Sequence, residues 1–471
     1  MQGKQRVAVT GASGFVGRAL VETLLERGYG VIALGRRPEA HAFDRRVEAR
    51  RFDPGDATPN PGAFDGADAV VHLAGETVAG RWTAEKKKRI ASSRVAGTRA
   101  LVASLTVLER RPAVLVCASA SGYYGARGDE PLAENAAPGD DFLARVCVDW
   151  ERAASEAEAL GVRVAHLRTG IVLGDGGALA KMLAPFRLGL GGPFGGGRQF
   201  VPWIHIDDLV SLCLFALDRD EVRGPVNAVA PDYATSARFA QALGAAVRRP
   251  AVVPAPAPAL RLLLGEFAET LLASQLMLPA VAEDLGFVWG YPHIEQAMFA
   301  AVARGAGRRA ETRVFRSEDT VPADPDEVFA FFSDARNLAT ITPPEMRFEM
   351  LAVPPSMGRG TTIDYRLRVR GVPMRWTTLI AEWNPPHGFV DVQLHGPYSL
   401  WRHTHRFEPV AGGVRVHDEV EYALPFAPFG NAVAPIVERD VRSIFAYRTA
   451  AIARAFAPGT EPQPAIPSVA G

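Results

Sequence analysis

The sequence predicts an α/β protein built on a doubly wound parallel sheet, followed by a separate α+β domain. Three observations carry this. The 471 residues exceed the roughly 100–200 of one domain, so at least two are expected. From Arg6 to about Ala230, short apolar runs alternate with longer amphipathic segments, the signature of a parallel sheet covered on both faces. Beyond Gly305–Ala310 the composition shifts and the pattern becomes mainly β.

Taken in order, Val7–Val9, Val31–Leu34, Ala69–Leu73, Val114–Val116 and Val162–Leu167 are each compact enough to be buried strands. Gly14–Glu26 and Ala84–Leu108 read as helices between them. A Pro/Ala run over Arg249–Ala259 predicts extended chain, leading to an apolar helix over Leu260–Leu272. In the second domain, Thr312–Val321 reads as a first strand. Thr361–Val369, Met374–Trp383 and Val414–Tyr422 alternate roughly, punctuated by turns at Gly371–Pro373 and Pro385–Gly388. Val433, Ile436, Val437, Val441, Ile444 and Phe445 recur at helical spacing and predict a final helix. From Pro458 a Pro-rich tail is expected to be disordered. The boundaries expected are 1–303, 311–457 and a tail over 458–471, with no internal repeat.

Hydrophobic residues make up 48% and charged residues 22%, ordinary for a globular protein. Lys plus Arg and Asp plus Glu both number 52, so net charge points to no nucleic-acid partner, and an anionic ligand must be met by locally placed Arg or Lys. Cys117, Cys147 and Cys213 are odd in number and widely spaced, as expected of reduced thiols. No apolar stretch reaches about 18 residues, so no membrane span is expected. Met1–Thr10 lacks the look of a secretory signal, and the expectation is a soluble cytoplasmic protein.

The strongest chemical signal is the turn Gly11-Ala12-Ser13-Gly14-Phe15-Val16-Gly17, lying between a strand and a helix. Gly11 allows the tight turn and Gly14 lets backbone approach a pyrophosphate. Gly17 lets the helix pack close, with its N-terminal N–H groups aimed at the phosphates. The second strand ends Gly35-Arg36-Arg37. An acid there would hold the ribose 2′-hydroxyl of NAD; the arginines instead favour the 2′-phosphate of NADP. An alternative is two solvated arginines in a loop. Asp53 is placed for the adenine edge, and Leu73-Ala74-Gly75 offers small residues where the chain passes under a cofactor.

Thr10–Gly17, Val71–Gly75 and Ser119–Gly125 together resemble the extended short-chain dehydrogenase/reductase superfamily, its NAD-dependent epimerase/dehydratase group. More narrowly, Gly80–Thr83 with Lys87, Ile90, Ser93 and Arg94, then Trp150-Glu151, Arg168–Gly174 and Trp203–Asp208 resemble a subfamily of nucleoside-diphosphate-sugar epimerases. Leu264–Glu266 and Leu278–Phe287 resemble that subfamily's small C-terminal region, so the likeness covers about residues 5–303. It implies a Rossmann-type sheet, an NADP cofactor with Arg168 among its contacts, and an oxidoreductase or epimerase acting on a hydroxyl or carbonyl of a small molecule. Such folds often form dimers, so a homodimer is expected.

The superfamily uses a Tyr-x-x-x-Lys pair for proton transfer. Here the corresponding positions are Leu143 and Cys147, and neither can do that work. Ser119 or Ser121 remains to polarise a carbonyl, Tyr124 or Tyr123 to supply a phenol, and Lys87 to assist. The tyrosines read equally as packing beside the cofactor. His205 with Asp207 and Asp208 is either a polar pair near substrate or a helix cap. If no turnover occurs, the alternative is an NADPH-sensing or small-molecule-binding regulatory protein.

Residues 311–457 resemble the helix-grip superfamily of START domains and polyketide cyclases. The strand, the helix start at Asp324-Pro325 with Glu327, the run of strands and the long last helix follow its order. The resemblance implies a cavity for a hydrophobic ligand. Trp376, Trp383, Phe389, Tyr398 and Trp401 would line such a cavity or form ordinary core. His403 and His405 share one strand face, with His417 on a neighbouring strand. No carboxylate or cysteine is spaced to join them, so no metal site is expected.

Overall fold

The computed structural model describes residues 5–40, 43–55, 58–307, 313–398, 400–424 and 434–457. The chain forms two compact units, residues 1–298 and 299–471. The expected tail over 458–471 lies outside the described residues. No described helix is long and apolar enough to cross a membrane.

The first unit runs β1 (Arg6–Thr10), α1 (Phe15–Glu26), β2 (Gly30–Gly35), β3 (Val47–Arg51), β4 (Ala69–His72), α2 (Ala84–Thr106), β5 (Val114–Ala120), α3 (Phe142–Ser155), β6 (Arg163–Thr169), α4 (Gly177–Arg187), α5 (Ile206–Asp218), β7 (Gly224–Ala228) and α6 (Ser236–Ala246). The seven strands form one sheet in the order β7-β6-β5-β4-β1-β2-β3, every neighbouring pair parallel. Side-chain alternation explains why Val7–Val9 and Val31–Leu34 are apolar throughout. Val7, Val9, Val31 and Ala33 face a core with Leu20 and Leu24 of α1 and Leu209 and Cys213 of α5. Ala8, Ile32 and Leu34 face the opposite core, with Leu101 and Leu105 of α2 and Trp150 of α3. Both faces are covered there, which is why these two runs carry no polar residue. Strand order reverses at β1, which has β2 on one side and β4 on the other. The helices that follow β1 and β4 lie on opposite faces of the sheet, and a crevice forms at the C-terminal ends of these two strands.

The expected apolar helix over Leu260–Leu272 is two helices, α7 (Ala257–Leu264) and α8 (Phe267–Leu272). Gly265, at φ +60°, breaks it in a conformation that favours glycine. α9 (Ala280–Asp284) and α10 (Ile294–Gly307) follow.

The second unit runs β8 (Arg313–Val321), α11 (Pro325–Phe332), β9 (Glu349–Ala352), β10 (Thr362–Val369), β11 (Val372–Asn384), β12 (Gly388–His395), β13 (Leu400–Val410), β14 (Gly413–Ala423) and α12 (Ala434–Ala455). Its seven strands are antiparallel in the order β8-β14-β13-β12-β11-β10-β9. Asp324 caps α11 by accepting from Asp326 N at 2.9 Å, with Pro325 next, as its sequence suggests. α12 lies against the sheet: Val441 and Phe445 pack with Val420 and Tyr422, and Ala451 and Ile452 join Phe389, Phe407 and Val416. Ile436, expected in the buried stripe, is 43% exposed; Val433 lies outside the described residues. Trp376 packs against Trp401 at 5.4 Å and Tyr398 at 5.7 Å, while Trp383 packs on Phe389 at 5.6 Å.

The register corrects one expectation about this sheet. His417 does stand on the neighbouring strand, β14, where it pairs opposite Arg406 and so falls on the other face from His403 and His405. Carboxylates do join those histidines: Asp391 stands opposite His403 on β12, and Asp418 opposite His405 on β14. Spacing along the chain cannot show a neighbour that only strand pairing creates.

Candidate functional site

The crevice is built on the glycine turn. Gly11 takes φ +69°, and a Cβ there would sit 3.0 Å from Ala74 N and the Leu73 carbonyl carbon. A Cβ on Gly17 would sit 2.1 Å from Gly11 O, so only glycine lets α1 start this close to β1. Gly14 N donates to Gly11 O at 2.9 Å and closes the turn. α1 has neither a side-chain cap nor an acid in its first turn. In contrast, α2 is capped by Thr83 and α3 by Asp141. The first N–H groups of α1 are left for an anion. Ala12 is buried and Ser13 and Val16 are half-buried, while Phe15 lies against Gly174, Gly176 and Gly177. These residues fit a pyrophosphate: the cradle is one that a Cβ would fill.

The neighbouring loop is fixed from below. Thr10 Oγ1 accepts from Leu73 N at 3.1 Å and Ala74 N at 3.2 Å, so its proton goes to His72 Nδ1 at 2.7 Å. His72 is then protonated on Nε2 and donates to Thr98 Oγ1 at 3.0 Å. Burial holds this imidazole down at about 4. Leu73, Ala74 and Gly75 are thus placed across from Gly11, and the Arg94 guanidinium lies behind Gly75. Arg36 and Arg37 follow β2 and are both exposed. Asp53, just past β3, accepts from Gly55 N at 3.0 Å and shapes its own turn.

At the end of β5 the chain makes a short helical turn, Ser121–Tyr124. Ser121 and Tyr123 are half-buried there. Gln275 fixes this turn from outside, donating to Ser121 O at 2.8 Å and Gly125 O at 2.9 Å. It also lines a shallow crevice with Phe200, Pro202, Trp203, Tyr233 and Met277.

The other candidates are placed differently from their expected roles. Tyr124 is fully buried. It donates to Asn227 Oδ1 at 2.8 Å and accepts from Arg168 Nη1 at 2.9 Å. Burial pushes its phenol up to about 12, with Arg168 and Asn227 pulling partly back. Arg168 is 3% exposed. It grips Glu151 through Nε–Oε1 (2.9 Å) and Nη2–Oε2 (2.8 Å) and stacks 3.4 Å over the Tyr123 ring. Its burial alone would lower it, but the Glu151 bonds and charge more than offset that and hold it above its usual value. Arg168 therefore braces the wall that carries Tyr123 and Tyr124. Ser119 donates to the same carboxylate at 2.6 Å, leaving Ser121 as the serine at the turn. Lys87 forms an ion pair with Glu266 and lies over the Phe142 ring. The glycine turn and the Leu73–Gly75 loop are thus brought together, whereas Tyr124 and Lys87 are held in structural contacts.

Leu143 and Cys147 stand on α3 where an acid–base pair would be. Both pack against Gly122, whose Cβ would lie 3.1 Å from Leu143 Cβ and 3.9 Å from Cys147 Sγ. Burial pushes the Cys147 thiol up to about 12, so it is neither base nor nucleophile. His205 Nδ1 accepts from Asp207 N at 3.3 Å and caps α5; Asp208 accepts from Gly290 N and Tyr291 N at 2.7 and 2.9 Å. This motif is a cap and a brace. Sequence reasoning missed Asn227, Gln275 and the Trp82–Phe142–Phe267 cluster, with ring separations of 5.3 and 5.9 Å. The Gly80–Thr83 segment was the one signal for the last.

Comparison with known proteins places these features. Residues 7–229 match the NAD dependent epimerase/dehydratase family. Residues 255–301 match a domain of unknown function, DUF1731, and residues 312–457 match the polyketide cyclase/dehydrase and lipid transport family. The chain is 40% identical over 306 residues to the chloroplastic SDR39U1 homolog of Arabidopsis thaliana, an epimerase family protein, covering 64% of this chain and 87% of that one. It is 38% identical over 301 residues to the epimerase family protein Mb2239 of Mycobacterium bovis, covering 63% and 98%. Among solved structures it is similar to human epimerase family protein SDR39U1 with NADPH. That match has a TM-score of 0.57 and 35% identity, covering 62% of this chain and 98% of that one.

Proposed function

Because the chain belongs to the NAD-dependent epimerase/dehydratase family, we propose that its first unit is an NADP(H)-dependent oxidoreductase or epimerase acting on a hydroxyl or carbonyl of a small molecule. The observation that carries this is the pairing of an uncapped α1 and its close-packed glycine turn with exposed Arg36 and Arg37 after β2. Gly11–Gly17 would hold the pyrophosphate, and the two arginines the 2′-phosphate. The SDR39U1 structure with NADPH supports the same choice. When bound, the nicotinamide supplies or accepts a hydride.

The protein's own part is positioning and proton movement. Ser121 donates its hydroxyl to a substrate carbonyl oxygen, and half-buried Tyr123, steadied by Arg168, is the phenol on that side. Residues 1–303 form the dinucleotide-binding domain. Residues 311–457 take a hydrophobic ligand, in keeping with the polyketide cyclase family match. The setting is cytoplasmic, and a homodimer is expected. The test is substrate-dependent oxidation of NADPH followed at the nicotinamide absorbance, across a panel of aldehydes, ketones and keto-sugars. Turnover lost in Ser121→Ala supports the assignment.

A second reading, NADPH sensing without turnover, is favoured by the packing of Leu143 and Cys147 on Gly122. It expects tight NADPH binding and no substrate in the panel that raises oxidation above background.

A further inference from the structure

The antiparallel unit buries a cluster of ionisable side chains that the first unit's chemistry does not use. His403 and His405 on β13 are 5% and 4% exposed, and Asp418 on β14 is 3% exposed. Asp418 Oδ1 lies 2.8 Å from His403 Nε2 and 2.8 Å from His405 Nδ1. On the other side, Asp391 Oδ2 lies 3.0 Å from His405 Nε2 and 3.5 Å from His403 Nδ1. A carboxylate only accepts, so Asp418 calls for the N–H at His403 Nε2 and at His405 Nδ1. A neutral imidazole has one N–H. With the His405 Nδ1 proton turned to Asp418 rather than that nitrogen accepting from Arg448 Nη2 at 3.4 Å, His403 Nδ1 and His405 Nε2 present lone pairs, both beside the Asp391 oxygen. Three electron-pair donors facing one another in that state call for a positive charge between them, supplied by a proton or by a metal ion.

The three atoms lie within 4.8 Å of one another. A tetrahedral ion with bonds of about 2.0–2.1 Å sets its ligands about 3.3 Å apart, and the 3.0 and 3.5 Å separations from Asp391 Oδ2 bracket that edge. We propose that Asp391, His403 and His405 form a divalent transition-metal site, with Asp418 orienting both imidazoles from behind. This is the carboxylate–histidine–metal arrangement, in which the outer carboxylate fixes tautomer and ring. Arg448, 3.6 Å from Asp418 Oδ1, balances that carboxylate. Counting neutral imidazoles, two carboxylates, one guanidinium and a divalent ion, the site carries one positive charge. An anionic oxygen as fourth ligand would cancel it. Phe389 stacks on His405 at 4.2 Å and Phe445 stands 5.3 Å from His403, so that oxygen would belong to a largely apolar molecule.

The test uses the full chain without a polyhistidine tag, stripped of metal by chelation. Zn²⁺ is titrated by calorimetry and Co²⁺ by visible absorption. One saturable ion per chain is expected, with the strong visible bands of four- or five-coordinate cobalt. His403→Ala and Asp391→Asn each remove this one-to-one step, and Asp418→Asn weakens it about 10–100-fold. Near-ultraviolet circular dichroism of each variant separates a lost ligand from a lost fold. Wild-type protein that takes up neither ion stoichiometrically overturns the proposal, as that cluster is then satisfied by a proton alone. One-to-one binding unchanged in both folded ligand variants overturns it as well.

Discussion

Replacing Gly17 with alanine perturbs the dinucleotide turn at its tightest point. The new methyl would lie 2.1 Å from Gly11 O and 2.8 Å from both Ala12 Cα and Gly11 C. Ordinary contacts of this kind begin near 3.4 Å, so α1 must retreat from β1 by on the order of 1 Å, the scale of displacement that overpacking forces. The atoms in the way are backbone, held by the Gly14 N–Gly11 O bond at 2.9 Å, and cannot swing aside as a side chain would. Overpacking of this sort costs about 1–3 kcal/mol. If the strain appears at the turn, that range corresponds to roughly 5–150-fold weaker NADPH binding. The assay is a fluorescence titration of NADPH alongside thermal unfolding. Gly14→Ala is the control, because Gly14 is exposed and its Cβ meets only Gly11 O at 3.1 Å. It should fold with near-wild-type stability while still crowding the phosphate. A Gly17→Ala protein with unchanged melting temperature and NADPH affinity within twofold would refute the reasoning.

Further predictions follow from the same structure. Glu151→Ala strands the buried Arg168 guanidinium, side-chain exposures being 11% and 3%, and should destabilise the first unit by about 3–5 kcal/mol in denaturant unfolding. His72 titrates near 4 when folded and 6.5 when unfolded. The unfolded chain then binds more protons between those values, so stability is full above about 6.5 and falls with pH down to about 4. The total contribution is about 3 kcal/mol. His72→Gln should flatten that part of the stability–pH curve, and an unchanged curve would contradict the assignment. All three cysteines are buried, and burial raises the thiols of Cys117, Cys147 and Cys213. An aromatic disulfide reagent should therefore react with none in the native protein and with all three in denaturant.

Much of the fold was legible because local and global signals agree. Val7–Val9 and Val31–Leu34 are apolar at every position, which only a sheet covered on both faces requires, and Gly11–Gly17 sits where a strand meets a helix. The helix break at Gly265 was less visible, since apolar residues continue on both sides of it. The site was legible only in its local part. The roles of Tyr124, Arg168 and Lys87 depend on Asn227, Glu151 and Glu266, partners 17 to 179 residues away in sequence, and no spacing rule reaches them. The same holds for Asp391 and Asp418, which antiparallel register alone sets beside His403 and His405.

The central claim is most directly tested by titrating NADPH and NADH against wild type and Arg36→Asp. A strong NADPH preference that collapses in the variant is predicted, each tenfold of preference being about 1.4 kcal/mol of contact with the 2′-phosphate. Binding of neither cofactor, or a preference untouched by the substitution, would contradict the account.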